Sequence, residues 1–143
     1  MKGAVKRFVL DASVAVAWCF EDEATAFTEG ILDLLSAGAE AVTPAIWPLE
    51  VANALLVAER RKRISVAQAA ALLRHMAQLR ITVEAVDMDR AFDQILSVAR
   101  QQKLTEYDAA YVELALRGAL PLAALDQKLR QAARDAGIML VSV

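Results

Sequence analysis

Arg7-Phe8-Val9-Leu10-Asp11-Ala12-Ser13 carries the reading of the fold. Phe8, Val9 and Leu10 form an unbroken apolar run rather than an alternation, the pattern of a short strand covered on both faces. The run stops at Asp11, and Ser13 to Phe20 reads as a short helix. A strand that passes at once into a helix is the first half of a crossover unit. The question for the rest of the chain is whether that unit repeats.

It does. A second helix is expected over Ala24 to Ala37, stopped by Gly38, followed by a short strand, Ala41 to Thr43, stopped by Pro44. Helix three spans Pro48 to Arg61, with Val51, Ala54, Leu55 and Ala58 at i, i+3, i+4, i+7. Ser65 caps helix four, where Val66, Ala69, Ala70, Leu73 and Ala77 repeat that spacing. Ile81 to Val86 is rich in β-branched residues and reads as a strand. Asp89 is taken as the cap of helix five, whose inner face carries Phe92, Ile95, Leu96 and Ala99. Thr105 caps helix six, which ends at Gly118. Pro121 to Ala124 is a strand; Asp126 opens helix seven, whose inner face carries Leu129, Ala132, Ala133 and Ala136, and Gly137 ends it. Met139 to Val143 is the last strand. Short apolar strands alternating with helices predict an α/β fold, a three-layer α/β/α sandwich with a central, mainly parallel sheet, in one domain over residues 1–143.

Such a sheet binds ligands beyond the carboxyl ends of its strands. That rule selects residues. Asp11 follows strand one, Glu50 opens the helix after strand two, and Asp126 follows the Pro121–Ala124 strand. Asp108 begins the helix leading into that strand and joins the same edge if its helix start faces it. Carboxylates crowded on one edge repel unless a cation or a proton intervenes. Hard divalent ions with oxygen ligands answer that need, so Mg²⁺ or Mn²⁺ is expected, with activation of water for phosphodiester attack as the chemistry. Taken singly, Asp11 and Asp126 also read as helix N-caps, and Glu50 as a first-turn acid favoured by the helix dipole. Their joint placement favours a site. Asp87 and Asp89 follow a strand too, but Asp89 is read as a cap and neither is nominated for the site.

The 143 residues are 57% hydrophobic and 6% aromatic, with a net charge of −2. An acidic chain is unsuited to coating DNA electrostatically, though an acidic site loses much of its negative charge on binding cations. The single cysteine, Cys19, and single histidine, His75, are too few for a structural zinc site or a disulfide, which suits a reducing cytoplasm. Met1 to Phe20 has the basic-then-apolar outline of a signal peptide, but Asp11 interrupts it and no small-residue cleavage site follows. No apolar run approaches the length of a membrane span.

Four segments carry a resemblance. Val9-Leu10-Asp11-Ala12-Ser13 resembles the opening strand motif of PIN domains, and Glu50-Val51-Ala52-Asn53 resembles their second motif. Leu104-Thr105-Glu106-Tyr107-Asp108-Ala109-Ala110-Tyr111 resembles the third, and Leu125-Asp126-Gln127-Lys128-Leu129 the fourth. Their order and spacing agree across nearly the whole chain, and the length and third motif are most similar to the VapC toxins of bacterial toxin–antitoxin pairs. The resemblance implies a Mg²⁺- or Mn²⁺-dependent endoribonuclease, an RNA substrate, a homodimer and a VapB-type antitoxin. It implies that Asp11, Glu50, Asp108 and Asp126 surround the metal. Ser13 and Thr105 would be polar helpers close by, and Asn53 would hold the helix-three end of the site. One position departs from the pattern. Where the fourth motif often carries Thr or Ser two residues before its aspartate, this chain has Ala124, so a hydroxyl that could orient Asp126 is missing.

Other residues have plainer readings. Arg60 to Arg63 is a solvated basic helix end, and Lys128 and Arg130 are ordinary helix-surface charges. Trp18, Phe20 and Trp47 are expected to pack rather than stack on bases, and Tyr111 to pack beside the acidic edge. A fold-sharing module that binds RNA or protein without cutting is the alternative function. A receiver domain would need a middle-strand phosphoacceptor and a late strand-end lysine. A dehalogenase-type phosphatase would need Asp-x-Asp where this chain has Asp11-Ala12-Ser13.

Overall fold

Every strand runs the same way. The computed structural model describes residues 5–143, and four strands, β1 (Arg7–Leu10), β2 (Glu40–Pro44), β3 (Ile81–Glu84) and β4 (Leu122–Ala123), form one all-parallel sheet in the order β3-β2-β1-β4. Successive strand residues point to opposite faces, yet Phe8, Val9 and Leu10 are all 0% exposed. Both faces of β1 are therefore covered by helices, which is the three-layer arrangement expected from the apolar run. Of the basic-then-apolar opening, Lys2 lies outside the described residues, while Phe8 to Leu10 form the sheet's core. Among the described residues, no helix is long and apolar enough to cross a membrane.

The helices are α1 (Ala12–Ala17), α2 (Ala26–Ser36), α3 (Trp47–Arg60), α4 (Val66–Ala77), α5 (Met88–Arg90), α6 (Leu96–Gln102), α7 (Glu106–Gly118) and α8 (Gln127–Asp135). Most begin where a side chain caps them: Thr25 with Thr28 and Ser65 with Gln68 form reciprocal boxes at α2 and α4, and Thr105 accepts from the Asp108 N–H at 3.1 Å to start α7. The buried faces of α3 (Val51, Leu55, Ala58) and α8 (Leu129, Ala132, Ala133) are those the periodicity predicts.

Five expectations are corrected. Asp87, not Asp89, caps α5, accepting from the Arg90 N–H at 2.9 Å. Phe92 is 70% exposed while Ile95 and Ala99 are buried, because a π-turn over Ala91–Ile95 inserts an extra residue and rotates everything before it. On α4, Val66 and Leu73 are exposed and Ala69 and Met76 are buried; the small Ala69 packs in one cluster with Leu55 and Ala58 of α3. Gly118 lies inside α7, and the left-handed residue that ends the helix is Ala119, at φ 52°. The strand expected over Met139 to Val143 shrinks to one bridge, Leu122 to Leu140, because β4 offers only two residues to pair with. Arg130 Nη1 donates to the Ala124 carbonyl at 2.9 Å and takes that acceptor out of the ladder.

Ala119 is exposed and holds a conformation that costs an L-residue with a Cβ roughly 1–2 kcal/mol. Ala119→Gly is expected to stabilise the fold by about 1 kcal/mol, read as a higher urea midpoint with unchanged slope; a lower midpoint would show that the Ala119 methyl contributes more than its strain costs.

Candidate functional site

Because the sheet is parallel, the chain leaves β1, β2 and β4 at one edge, and each exit places an acid there. Asp11 caps α1 directly after β1 and is 6% exposed. Its carboxylate accepts from the Ser13 hydroxyl and, at 3.4 Å, from the Ser13 N–H. Ser13 Oγ in turn accepts from the Leu125 N–H at 3.1 Å, so this hydroxyl ties the end of β1 to the loop after β4. Asp126, in that loop, caps α8 through one oxygen, Oδ1, which accepts from the N–H groups of Lys128 (2.8 Å) and Leu129 (3.2 Å). The capping readings of Asp11 and Asp126 are thus both realised. They leave Asp126 Oδ2 without a hydrogen bond among the described residues.

Glu50 lies in the first turn of α3 and Asp108 in the first turn of α7, each half-buried. Tyr111, one turn after Asp108, donates its hydroxyl to Glu50 Oε1 at 2.7 Å. The i, i+3 spacing signalled the shared face; nothing in the sequence signalled that the phenol would meet Glu50, since that partner is 61 residues away.

The carboxylates sense one another. Asp11 titrates above its ordinary range because burial penalises its charge, which outweighs the Ser13 hydrogen bonds, and Asp108 adds repulsion. Glu50 is raised by burial, relieved in part by Tyr111, and raised further by Asp11 and Asp108. Asp108 is raised by burial and by Asp126, with Lys128 as the cation that partly offsets it. The edge therefore brings all four acids within electrostatic range. Among the described residues no three acid, histidine or cysteine side chains converge as a ready set of ligands. The donors nonetheless suit a small hard cation, because Mg²⁺ keeps several waters and takes one or two carboxylates. The buried, mutually raised charges are what such an ion would relieve.

The remaining nominated residues sit as follows. Thr105 serves as the α7 cap beside Asp108. Asn53 is exposed and makes no side-chain hydrogen bond among the described residues. Trp18 donates to the Thr28 carbonyl at 2.7 Å, Trp47 is buried, and Phe20 lies under Arg63, whose guanidinium is 4.2 Å from the ring centre. None of these three faces the acids as a free stacking platform. Sequence reasoning missed a second polar cluster: Arg117 pairs with Glu113 at 2.9 Å and Glu84 at 2.5 Å, and Arg90 with Glu84 at 3.2 Å and Glu113 at 3.6 Å. Only Glu113 and Arg117, at i, i+4, were legible as a pair.

The raised values fix the sign of a pH effect. For an acid raised in the fold, stability is fully present below its unfolded value, 3.8 for Asp11, and is lost as pH rises through the higher folded value. Ionised Asp11 therefore weighs against the metal-free fold at pH 7. Asp11→Asn, whose amide still caps α1, is expected to be as stable as the parent or more so in EDTA at pH 7. That gain should vanish below about pH 3.8. Urea unfolding at both pH values checks it; a mutant destabilised at pH 7 would mean the Ser13 hydrogen bonds outweigh burial.

Comparison with known proteins gives the family and the fold. The PIN domain family profile matches residues 8–135. A search of curated proteins returned no match. Among solved structures, the chain is similar to PAE2754 from Pyrobaculum aerophilum, with 24% identity and TM-score 0.71 over 95% of this chain and 83% of that one. It is also similar to VapBC2 from Rickettsia felis, solved bound to a promoter DNA fragment, with 13% identity and TM-score 0.65 over 94% and 97%. A third is Mycobacterium tuberculosis VapC20, described as a Sarcin-Ricin loop cleaving toxin, with 16% identity and TM-score 0.62 over 87% and 94%. At these identities the structural likeness speaks for the fold, and the profile match over most of the chain carries the assignment: the chain belongs to the PIN domain family.

Proposed function

We propose that the protein is a metal-dependent endoribonuclease acting as the toxin of a type II toxin–antitoxin pair. The observation that carries the reading is the set of carboxylates from four separate segments, Asp11, Glu50, Asp108 and Asp126, held at one sheet edge, three of them raised by burial and mutual repulsion. Membership of the PIN family and the cleaving activity in the printed description of VapC20 support it.

In this reading Asp11, Glu50, Asp108 and Asp126 would together hold Mg²⁺ or Mn²⁺. Bound there, the ion supplies an acidified water for attack on an RNA phosphodiester and neutralises charge on the leaving oxygen. The protein's own part is orientation. Ser13 holds Asp11 and the Leu125 loop together, so Asp126 keeps its distance from Asp11 without the hydroxyl that Ala124 lacks. Ala124 also supports a second reading, a PIN-fold module that binds RNA or protein without cutting, since a lost supporting hydroxyl costs about 10–100-fold in metal affinity or activity.

Two protein partners belong to the proposal. A VapB-type antitoxin is one, as the family resemblance implies and the likeness to VapBC2 supports; it would cover the acidic edge with a basic side chain standing in for a cation. A second copy of the chain would cover the apolar groove of about 330 Å³ beside α3, lined by Ile46, Leu49, Val86, Ala91, Tyr107 and Ala110. Exposed Phe92 and Met88 belong to the segment that lends Arg90 and Ala91 to its wall, and a self-complementary patch is what a two-fold interface needs.

Cleavage of labelled total RNA tests the activity. Discrete fragments with Mn²⁺ or Mg²⁺, absent in EDTA and reduced on the order of 100-fold or more in Asp108→Asn, are expected. RNA binding without cleavage under either metal would favour the non-cutting module. For the second partner, Phe92→Glu is expected to convert a dimer to a monomer in sedimentation equilibrium with the fold intact; an undisturbed dimer would place the contact elsewhere.

A further inference from the structure

Tyr111 is 0% exposed, and the proposed reaction has no use for its hydroxyl, a buried donor at the acidic edge. It stands one turn after Asp108 on α7 and reaches across to α3, donating to Glu50 Oε1 at 2.7 Å. Among the described residues, this is the only side-chain hydrogen bond that joins α3 to α7. The hydroxyl thus ties the segment that carries Glu50 to the one that carries Asp108, within electrostatic reach of Asp11.

A glutamate has three side-chain torsions, and Glu50 is repelled by both Asp11 and Asp108. Left alone on a half-buried helix turn, its carboxylate would swing away from them toward water. A hydrogen bond from a phenol packed in the core pins one oxygen against that repulsion. Oε1 is consumed by the phenol, and Oε2 is left for an external ligand.

We propose that Tyr111 is a positioning residue, which fixes Oε1 of Glu50 and so presents the other oxygen to the cation. The proposal rests on the metal-dependent reading above. Removing only the hydroxyl, as in Tyr111→Phe, should leave the core packing in place while freeing Glu50 to rotate away.

The test is a double-mutant cycle on metal binding rather than on cleavage: Mn²⁺ titrations of wild type, Tyr111→Phe, Glu50→Gln and the double variant, followed by the paramagnetic resonance signal of free Mn²⁺. With unchanged circular dichroism, Tyr111→Phe is expected to weaken Mn²⁺ binding by about 10-fold or more. In the Glu50→Gln background the same change is expected to cost nothing further. Binding by Tyr111→Phe equal to wild type would overturn the proposal, as would an equal further loss in the double variant, which would mean that Tyr111 acts through something other than Glu50. Wild-type protein that binds no Mn²⁺ would instead remove the metal-dependent reading, and this role with it.

Discussion

Like charges gathered at one edge of a sheet are the constraint around which the molecule is arranged. A parallel sheet delivers the ends of its strands to the same side, and the loops after β1 and β4 together with the helix starts of α3 and α7 bring acids there. Burial raises Asp11, Glu50 and Asp108, and their neighbours raise them further. The surrounding structure meets this with fixed donors instead of compensating cations. Ser13 serves Asp11, Tyr111 serves Glu50, the α8 amides serve Asp126, and Lys128 is the sole cation acting on Asp108. Neutral donors satisfy oxygens without cancelling charge, so the edge keeps its attraction for an incoming positive group.

Away from that edge the polar chemistry is of the opposite kind. Glu84, Arg90, Glu113 and Arg117 balance two negative charges with two positive ones and tie β3 and α5 to α7. Glu113 is 6% exposed, and a carboxylate buried that deeply needs its partners. The cluster leaves no net charge for a ligand to answer, and its contribution is to hold the π-turn segment against the helix that carries Asp108.

Much of the fold was legible because its signals are local. The apolar run Phe8–Leu10, the caps at Ser65 and Thr105, and the stripes of α3 and α8 depend on residues within a turn or two of one another. The acids were legible by topology, since the strand-end rule needs only the order of elements. What escaped needed distance or register. The phenol of Tyr111 finds Glu50 across 61 residues. The π-turn at Ala91–Ile95 breaks the very periodicity by which Phe92 was assigned inward. The last strand failed because its length depended on how much of β4 was free to pair, and Pro121, with no N–H, and Ala124, with its carbonyl engaged by Arg130, leave only two residues.

That brevity divides the acidic edge into two mechanical halves. β1 is flanked by neighbours on both sides and β2 likewise, so Asp11 stands on the best-braced part of the sheet. Asp126 hangs from β4, which pairs with β1 at only two register positions, Val9 with Leu122 and Leu10 with Ala123, with the Ser13 strut beside them. Amide exchange in such a fold is graded, with sub-global openings drawn from the segments that have the fewest ladder bonds. The β4 seam has the fewest paired positions in the sheet, so an opening there would carry Asp126 away while leaving Asp11, Glu50 and Asp108 together: three acids are fixed to one body and the fourth to a hinged one.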